Sequence, residues 1–291
     1  MSAITVGPIT SAAPASPNRE RWIAAGFAAP AMLILLALFV VPLGFLLAGS
    51  VLTGGGVSLA EYAKLLGTSY YLGVIWNSLR LALLTTLIAF AIGYPAAFAL
   101  ARATGAVRSL LLATLFLPLA ASVIVKAFAW TILLRSDGLV NTVLITLGII
   151  REPIRMIFTE TALIIGSVNI FLPFMILPIY SVVAQLDRRM TDAAATLGAS
   201  PVVAFLRVTL PLTIPGIVAG VALVFSLSVS AYVVPTLLIG ERYPTLASTI
   251  AKAYLLARQP AFGAAAGVVL LVIAIAVITL STRLARFGGG R

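Results

Sequence analysis

Long apolar runs alternate with short polar breaks along almost the whole chain. Six runs, at about 22–47, 72–100, 110–134, 159–184, 213–239 and 261–284, are each long enough to cross a bilayer, which takes about 20 residues of helix. None shows the strict alternation over about ten residues that marks a membrane strand. The pattern therefore predicts an all-α, polytopic membrane protein with six transmembrane helices, a single domain over 22–286. A Ser/Ala/Pro-rich tail, 1–21, is expected to be disordered, and 287–291 form a short C-terminal tail. The first run exceeds the roughly 7–15 apolar residues of a signal peptide, so it reads as a retained span. Gly93-Tyr94-Pro95 predicts a kink in the second span, and Pro173 and Pro178 kinks in the fourth. Pro235 is expected to interrupt the fifth. The apolar stretch 140–150 is too short to span and reads as an interfacial helix.

One polar island breaks this rhythm, 187–211, DRRMTDAAATLGASPVVAFLRVTLP. Met190, Ala193, Ala194 and Leu197 fall at i, i+3, i+4, i+7, one face of a short helix. Gly198 supplies its stop, since glycine takes the left-handed conformation without steric cost. Ser200-Pro201 restarts a helix, with a hydroxyl to cap free N–H groups and a proline where no N–H is needed. Val202, Phe205 and Leu206 give that second piece an apolar face. A compact apolar face outside the membrane suits a protein contact; the same pattern suits an amphipathic helix lying on the lipid interface. The residues alone leave both open.

Composition agrees with the spans. Hydrophobic residues make up 62% and charged residues 9% of the 291 positions, against about 25% charged in a soluble domain. There is no cysteine and no histidine, which removes disulfides, thiolate and imidazole chemistry and most zinc sites. The net charge of +11 does not point to nucleic acid, because the basic residues are scattered between apolar runs instead of forming a stripe. They report topology. Arg19, Arg21, Arg102, Arg108, Arg188, Arg189, Arg207, Arg283, Arg286 and Arg291 share the side of the island; Lys64, Arg135, Arg151, Arg155, Arg242, Lys252 and Arg258 lie opposite. The excess of basic residues places the island and both termini in the cytoplasm.

The island resembles the cytoplasmic "EAA" loop of binding-protein-dependent ABC importer permeases. That pattern is Glu-Ala-Ala, three residues, Gly, nine residues, Ile, one residue, Leu-Pro. Here it reads Asp192-Ala193-Ala194, Gly198, Val208, Leu210-Pro211, with Asp for Glu and Val for Ile. A second stretch, Lys126-Ala127-Phe128-Ala129-Trp130 followed by Asp137-Gly138-Leu139-Val140-Asn141, is similar to Arg-x-Tyr-Ala-Trp and Gly-Leu-x-Asn of the spermidine/putrescine subgroup. The similarity continues to Ala231-Tyr232-Val233-Val234-Pro235 and covers about 70–280. It implies an inner-membrane transport subunit in which the island is the helix that docks on an ATPase. The implied partners are two ABC ATPase subunits, a second permease, identical or homologous, and a periplasmic solute-binding protein. The chain itself has no G-x-x-x-x-G-K-[ST] loop, so ATP and its magnesium belong to the ATPase and no cofactor is expected on this subunit.

Two basic residues fall inside predicted spans. Charge at the bilayer centre costs roughly 2.5–3.5 kcal/mol on the insertion scale. Arg80 is near the outer end of its span, where a long side chain can snorkel; Lys126 is placed mid-span with Trp130 one turn on. With Asn77, Ser226, Ser228, Ser230 and Tyr232 they are the candidate translocation-path residues, although serine in a span also serves as packing glue. No carboxylate falls clearly inside a span, which disfavours a proton- or sodium-coupled carrier and leaves recognition of a polycation to the binding protein. Lys126 and Arg80 would instead suit an anionic or zwitterionic solute such as an opine or phosphonate. Ser122 and Lys126 have the i, i+4 spacing of a Ser–Lys dyad, but no oxyanion site is readable beside them.

Overall fold

The computed structural model describes residues 17–53 and 56–288; the expected disordered tail falls outside them up to residue 16. The described residues are mostly helical, with one ribbon of two two-residue strands and a non-helical segment at 147–159. It forms two compact units, one of residues up to Ala48 and one from Gly49 onward.

The first unit is the greater part of α1 (Pro17–Val51). Its window from Ala28 has a mean hydropathy of 2.8 and no buried residue, an all-round apolar surface that suits lipid or another protein. Pro17–Arg21, assigned to the tail from sequence, lie within this helix.

In the second unit, β1 (Leu52–Thr53) and β2 (Gly56–Val57) pair antiparallel, Leu52 opposite Val57. There follow α2 (Ala60–Gly67), α3 (Ser69–Arg102), α4 (Gly105–Ala120), α5 (Val123–Leu133), α6 (Leu139–Thr146), α7 (Glu160–Val183), α8 (Arg188–Thr196), α9 (Pro201–Ala204), α10 (Leu210–Val229), α11 (Val233–Leu238), α12 (Leu246–Leu255) and α13 (Pro260–Gly288). The core lies where α3, α7 and α10 pack together, with α13 against α10 and α12. Small residues permit the approach. A Cβ on Gly93 of α3 would sit 2.9 Å from Cγ of Met175, and one on Gly220 of α10 would sit 2.9 Å from its Sδ. Met175 thus fills the space that two glycines leave, which a flexible thioether does well.

Among the described residues five helical stretches are long and apolar enough to span, and a sixth span requires counting α4 and α5 together. The third predicted span is therefore not one rod: it bends by 103° between Ala120 and Val123. Pro118 withholds an N–H near the end of α4, and the Ser122 hydroxyl accepts the N–H of Ile124 at 3.3 Å to start α5. The fifth span also breaks elsewhere than expected. It ends at Val229, where the Ser230 hydroxyl donates to the Ser226 carbonyl at 2.7 Å. Pro235 lies in the first turn of α11, a position where its missing N–H costs nothing. The apolar stretch 140–150 contains α6, a short helix as expected. The segment 240–260, expected as an outer loop, contains α12, opened by a capping box between Thr245 and Ser248.

Candidate functional site

The island is two helices joined at a left-handed glycine. The Asp187 carboxylate accepts the N–H of Arg189 at 2.9 Å and caps α8. Gly198 has φ +79°. Around it the Ala199 N–H reaches the Ala194 carbonyl at 3.0 Å and the Gly198 N–H the Ala195 carbonyl at 2.9 Å, the paired bonds of a Schellman stop. The Ser200 hydroxyl then accepts the N–H of Val203 and Pro201 opens α9, as the sequence predicts.

Beyond α9 the helix does not stop. Residues Phe205–Thr209 form one π turn, in which the Leu210 N–H reaches back to the Phe205 carbonyl, and α10 follows without a gap. Pro211 explains the widening: a proline ring clashes with the carbonyl four residues before it, and a π turn relieves that crowding. The island is thus rigidly continuous with a core helix through the Val208 to Pro211 segment.

Its exposed face is apolar. Leu197 is 90% exposed, and Met190, Val202 and Leu206 are also open. Asp192 and Ala193 face solvent beside the half-buried Ala194. Behind this face the island grips α3. The Phe205 ring lies edge-on to Tyr94 and Phe98, with centroids 6.2 Å from each. The Tyr94 hydroxyl meets that of Thr213 at 3.1 Å, and Thr213 donates to the Leu210 carbonyl at 2.9 Å. Sequence reasoning passed over Phe90, Tyr94 and Phe98, although their i, i+4, i+8 spacing was the signal of an aromatic face. A cleft of about 650 Å³ opens between this anchor and the ends of α3 and α7, lined in part by Arg102, Asp187 and Asp192.

The candidate path residues separate into three places. At the far end of α3, the Arg80 guanidinium pairs with Glu160 at 3.2 Å. Asn77 donates to the Pro244 carbonyl and accepts at its own carbonyl from Tyr243, both at 3.3 Å. Nearby, the Ser78 hydroxyl accepts the Leu246 N–H at 2.7 Å. Burial, with the Glu160 carboxylate beside it, pushes the Tyr243 hydroxyl above its ordinary range, so it stays protonated and able to donate. Asn77 and Arg80 therefore clamp α3 to α7 and to the segment before α12.

Lys126 is half-buried in the first turn of α5, at the bend and not in mid-helix, with no ion pair among the described residues. Trp130 donates to the Asn169 side chain at 3.1 Å and holds α5 to α7. On α10, Ser228 is buried in the core and Ser226 half-buried, whereas Ser230 is exposed. Tyr232, in the break after Ser230, borders a cleft of about 80 Å³ shared with Glu241 and Lys252, which are themselves paired.

A polar, solvent-exposed elbow set on a bundle of apolar helices is the architecture of a transport subunit driven from outside the membrane. Comparison with known proteins agrees. Residues 142–287 match the family model of the binding-protein-dependent transport system inner membrane component. The chain is 38% identical over 217 residues to the spermidine/putrescine transport system permease protein PotB of Haemophilus influenzae, covering 75% of this chain and 76% of that protein. It is equally identical over 216 residues to PotB of Escherichia coli strain K12, covering 74% and 78%. In fold it is similar to a chain in the crystal structure of a bacterial ABC transporter involved in the import of the acidic polysaccharide alginate, with a TM-score of 0.76 at 17% identity over 92% of this chain and 96% of that one. The chain belongs to the inner membrane components of binding-protein-dependent transport systems; it is a multi-pass transport subunit and not an enzyme.

Proposed function

We propose that this chain is the permease subunit of an ATP-driven importer for a polyamine such as spermidine or putrescine. A periplasmic binding protein delivers the solute, and two ATPase subunits and a second permease complete the assembly. The observation that carries the reading is the island: an exposed apolar face with Leu197 at its tip, fixed by a Schellman stop and joined through the π turn to α10. Closure of the ATPase dimer moves α8. The motion passes through Ala194–Gly198 and α9 into α10, and through Phe205 into the Tyr94–Phe98 face of α3. The bundle then changes the side to which it opens, and ATP with its magnesium stays on the ATPase.

The polyamine assignment rests on the identity with the two PotB proteins. The pairing of Arg80 with Glu160 supports it: a neutralised guanidinium is a poor receptor for an anionic solute, which leaves Lys126 alone to hold one. Reconstituted with its ATPase, second permease and binding protein, the subunit will import labelled spermidine only with ATP, and unlabelled putrescine will compete. Uptake without nucleotide, or uptake of an opine or phosphonate with no polyamine transport, would overturn the assignment.

Both termini and the island lie in the cytoplasm in this reading, following the bias of the basic residues. Because the chain has no cysteine, an Ala195→Cys variant carries a single thiol on the exposed face of α8. An impermeant maleimide will label it in inside-out vesicles and leave it untouched in intact spheroplasts. Labelling of spheroplasts would reverse the topology.

A further inference from the structure

Among the described residues four buried hydroxyl oxygens have no partner, those of Thr85, Ser167, Ser226 and Ser228; Ser226 belongs to a half-buried residue, and the other three to residues closed off from solvent. Thr85 of α3, Ser167 of α7 and Ser228 of α10 are 0%, 1% and 2% exposed, and among the described residues the oxygen of each is buried without a hydrogen bond. Elsewhere in the same helices a hydroxyl satisfies itself on its own backbone. Ser78 donates to Val74, Thr86 to Ala82 and Ser230 to Ser226, each four residues back. The three orphans forgo that bond.

Helix register sets them at one level. Gly93, Met175 and Gly220 meet in one layer of the core. The Arg80–Glu160 pair, together with Gly93 over Met175, sets α3 and α7 parallel. Gly216 over Pro178 and Ile179, together with Gly220 over Met175, fixes α10 as antiparallel to both. Eight residues from that layer toward the Arg80–Glu160 end, the three helices present Thr85 (93 − 8), Ser167 (175 − 8) and Ser228 (220 + 8). Each also lies on a core-facing side of its own helix. Thr85 lies one turn from Leu81 and Ala89, Ser167 one turn from Leu163 and Phe171, and Ser228 one turn from Val224, and all five neighbours belong to the same apolar cluster.

We propose that Thr85, Ser167 and Ser228 form a buried hydration site, occupied by an ordered water that ties α3, α7 and α10 together about two turns from the Met175 layer. Buried polar groups are almost always hydrogen-bonded, through water where no protein group reaches them. Internal waters typically make about three bonds to such groups, which is the number of hydroxyls here. The set is neutral and has no carboxylate, so it suits a small uncharged ligand and not a cation. The site links the helix that carries the island, α10, to the two that flank it.

The test uses the assembled importer in nanodiscs. Thr85→Val, Ser167→Ala and Ser228→Ala each remove one hydroxyl with little change in volume. Each will lower Tm by about 2–4 °C, the shift expected of one lost buried bond in a chain of this size. Any two together will cost less than the sum, because the first removal already weakens the hold on the water. If the hydroxyls are dry and independent, removing an unmet polar group leaves Tm unchanged or raises it, and the proposal fails. A density map of the wild-type assembly sharp enough to show ordered water decides the matter even if a variant does not assemble. Solvent density within bonding reach of all three oxygens supports the site; a dry core there overturns it.

Discussion

Gly198→Val will cut ATP-driven uptake by at least roughly tenfold while the protein still reaches the membrane in normal amount. The glycine sits at φ +79° with no atom within 4 Å of where a Cβ would be, so the effect is one of backbone and not of collision. Left-handed geometry costs an ordinary residue roughly 1–2 kcal/mol, and more for a β-branched side chain. Restoring a right-handed conformation would break the bonds from Ala199 to Ala194 and from Gly198 to Ala195 and swing α8 away from α9. The exposed Leu197 and Met190 would then no longer be offered to the ATPase at a fixed angle. A loss of about 1.4 kcal/mol in productive docking is already tenfold, and uptake should fall by at least roughly that factor. Gly198→Asn is the control, since asparagine tolerates the left-handed region; it should keep most of the activity. The measurements are spermidine uptake and binding-protein-stimulated ATP hydrolysis in proteoliposomes. Wild-type values for the valine variant would separate this elbow from coupling.

What the sequence disclosed and what it hid follow from the range of the interactions. The cap at Ser200 and the stop at Gly198 are decided within four residues, and they were legible; the Asp187 cap is equally local but went unread. The spans were legible because hydropathy is a local sum. It is blind to direction, however, and read 110–134 as one rod although Pro118 and Ser122 already carried the signals of a stop and a restart. Pro235 misled for a related reason: a proline breaks a helix in its interior and is accommodated in its first turn, and only the position of Ser230 shows which applies. The clamps were out of reach. Arg80 meets Glu160 eighty positions later and Asn77 meets Pro244 across 167, pairings that no local pattern announces. The grip of Phe205 on Tyr94 and Phe98 is of the same long-range kind. The fold and the outline of the elbow were therefore readable, but the way the elbow is attached to the bundle was not.

That attachment depends on α10 lying close against α7, and at Gly216 the α7 backbone leaves no room for a side chain. A Cβ there would stand 2.8 Å from the Pro178 carbonyl oxygen, 3.0 Å from the Ile179 Cα and 3.1 Å from a Val182 methyl. The first two are backbone atoms of a helix and cannot turn aside as a side chain can. Overpacking a core costs roughly 1–3 kcal/mol per insertion, which for a chain of this size is about 2–4 °C in Tm per kcal/mol. Gly216→Ala should therefore lower the Tm of the assembled importer by several degrees. Gly216→Val, with two further methyl groups aimed at α7, should leave no assembled complex in the membrane. Gly220→Ala is the comparison. Its nearest contact is Sδ of Met175 at 2.9 Å, with the Met175 carbonyl at 3.1 Å; the thioether can swing away, so the loss there should be smaller than at Gly216. Thermal denaturation followed by size-exclusion profiles of the purified complex reads all three variants. A Gly216→Val subunit that assembles and melts like the wild type would mean that α10 does not lie on α7 at this point, and the route from island to core would have to run through Phe205 alone.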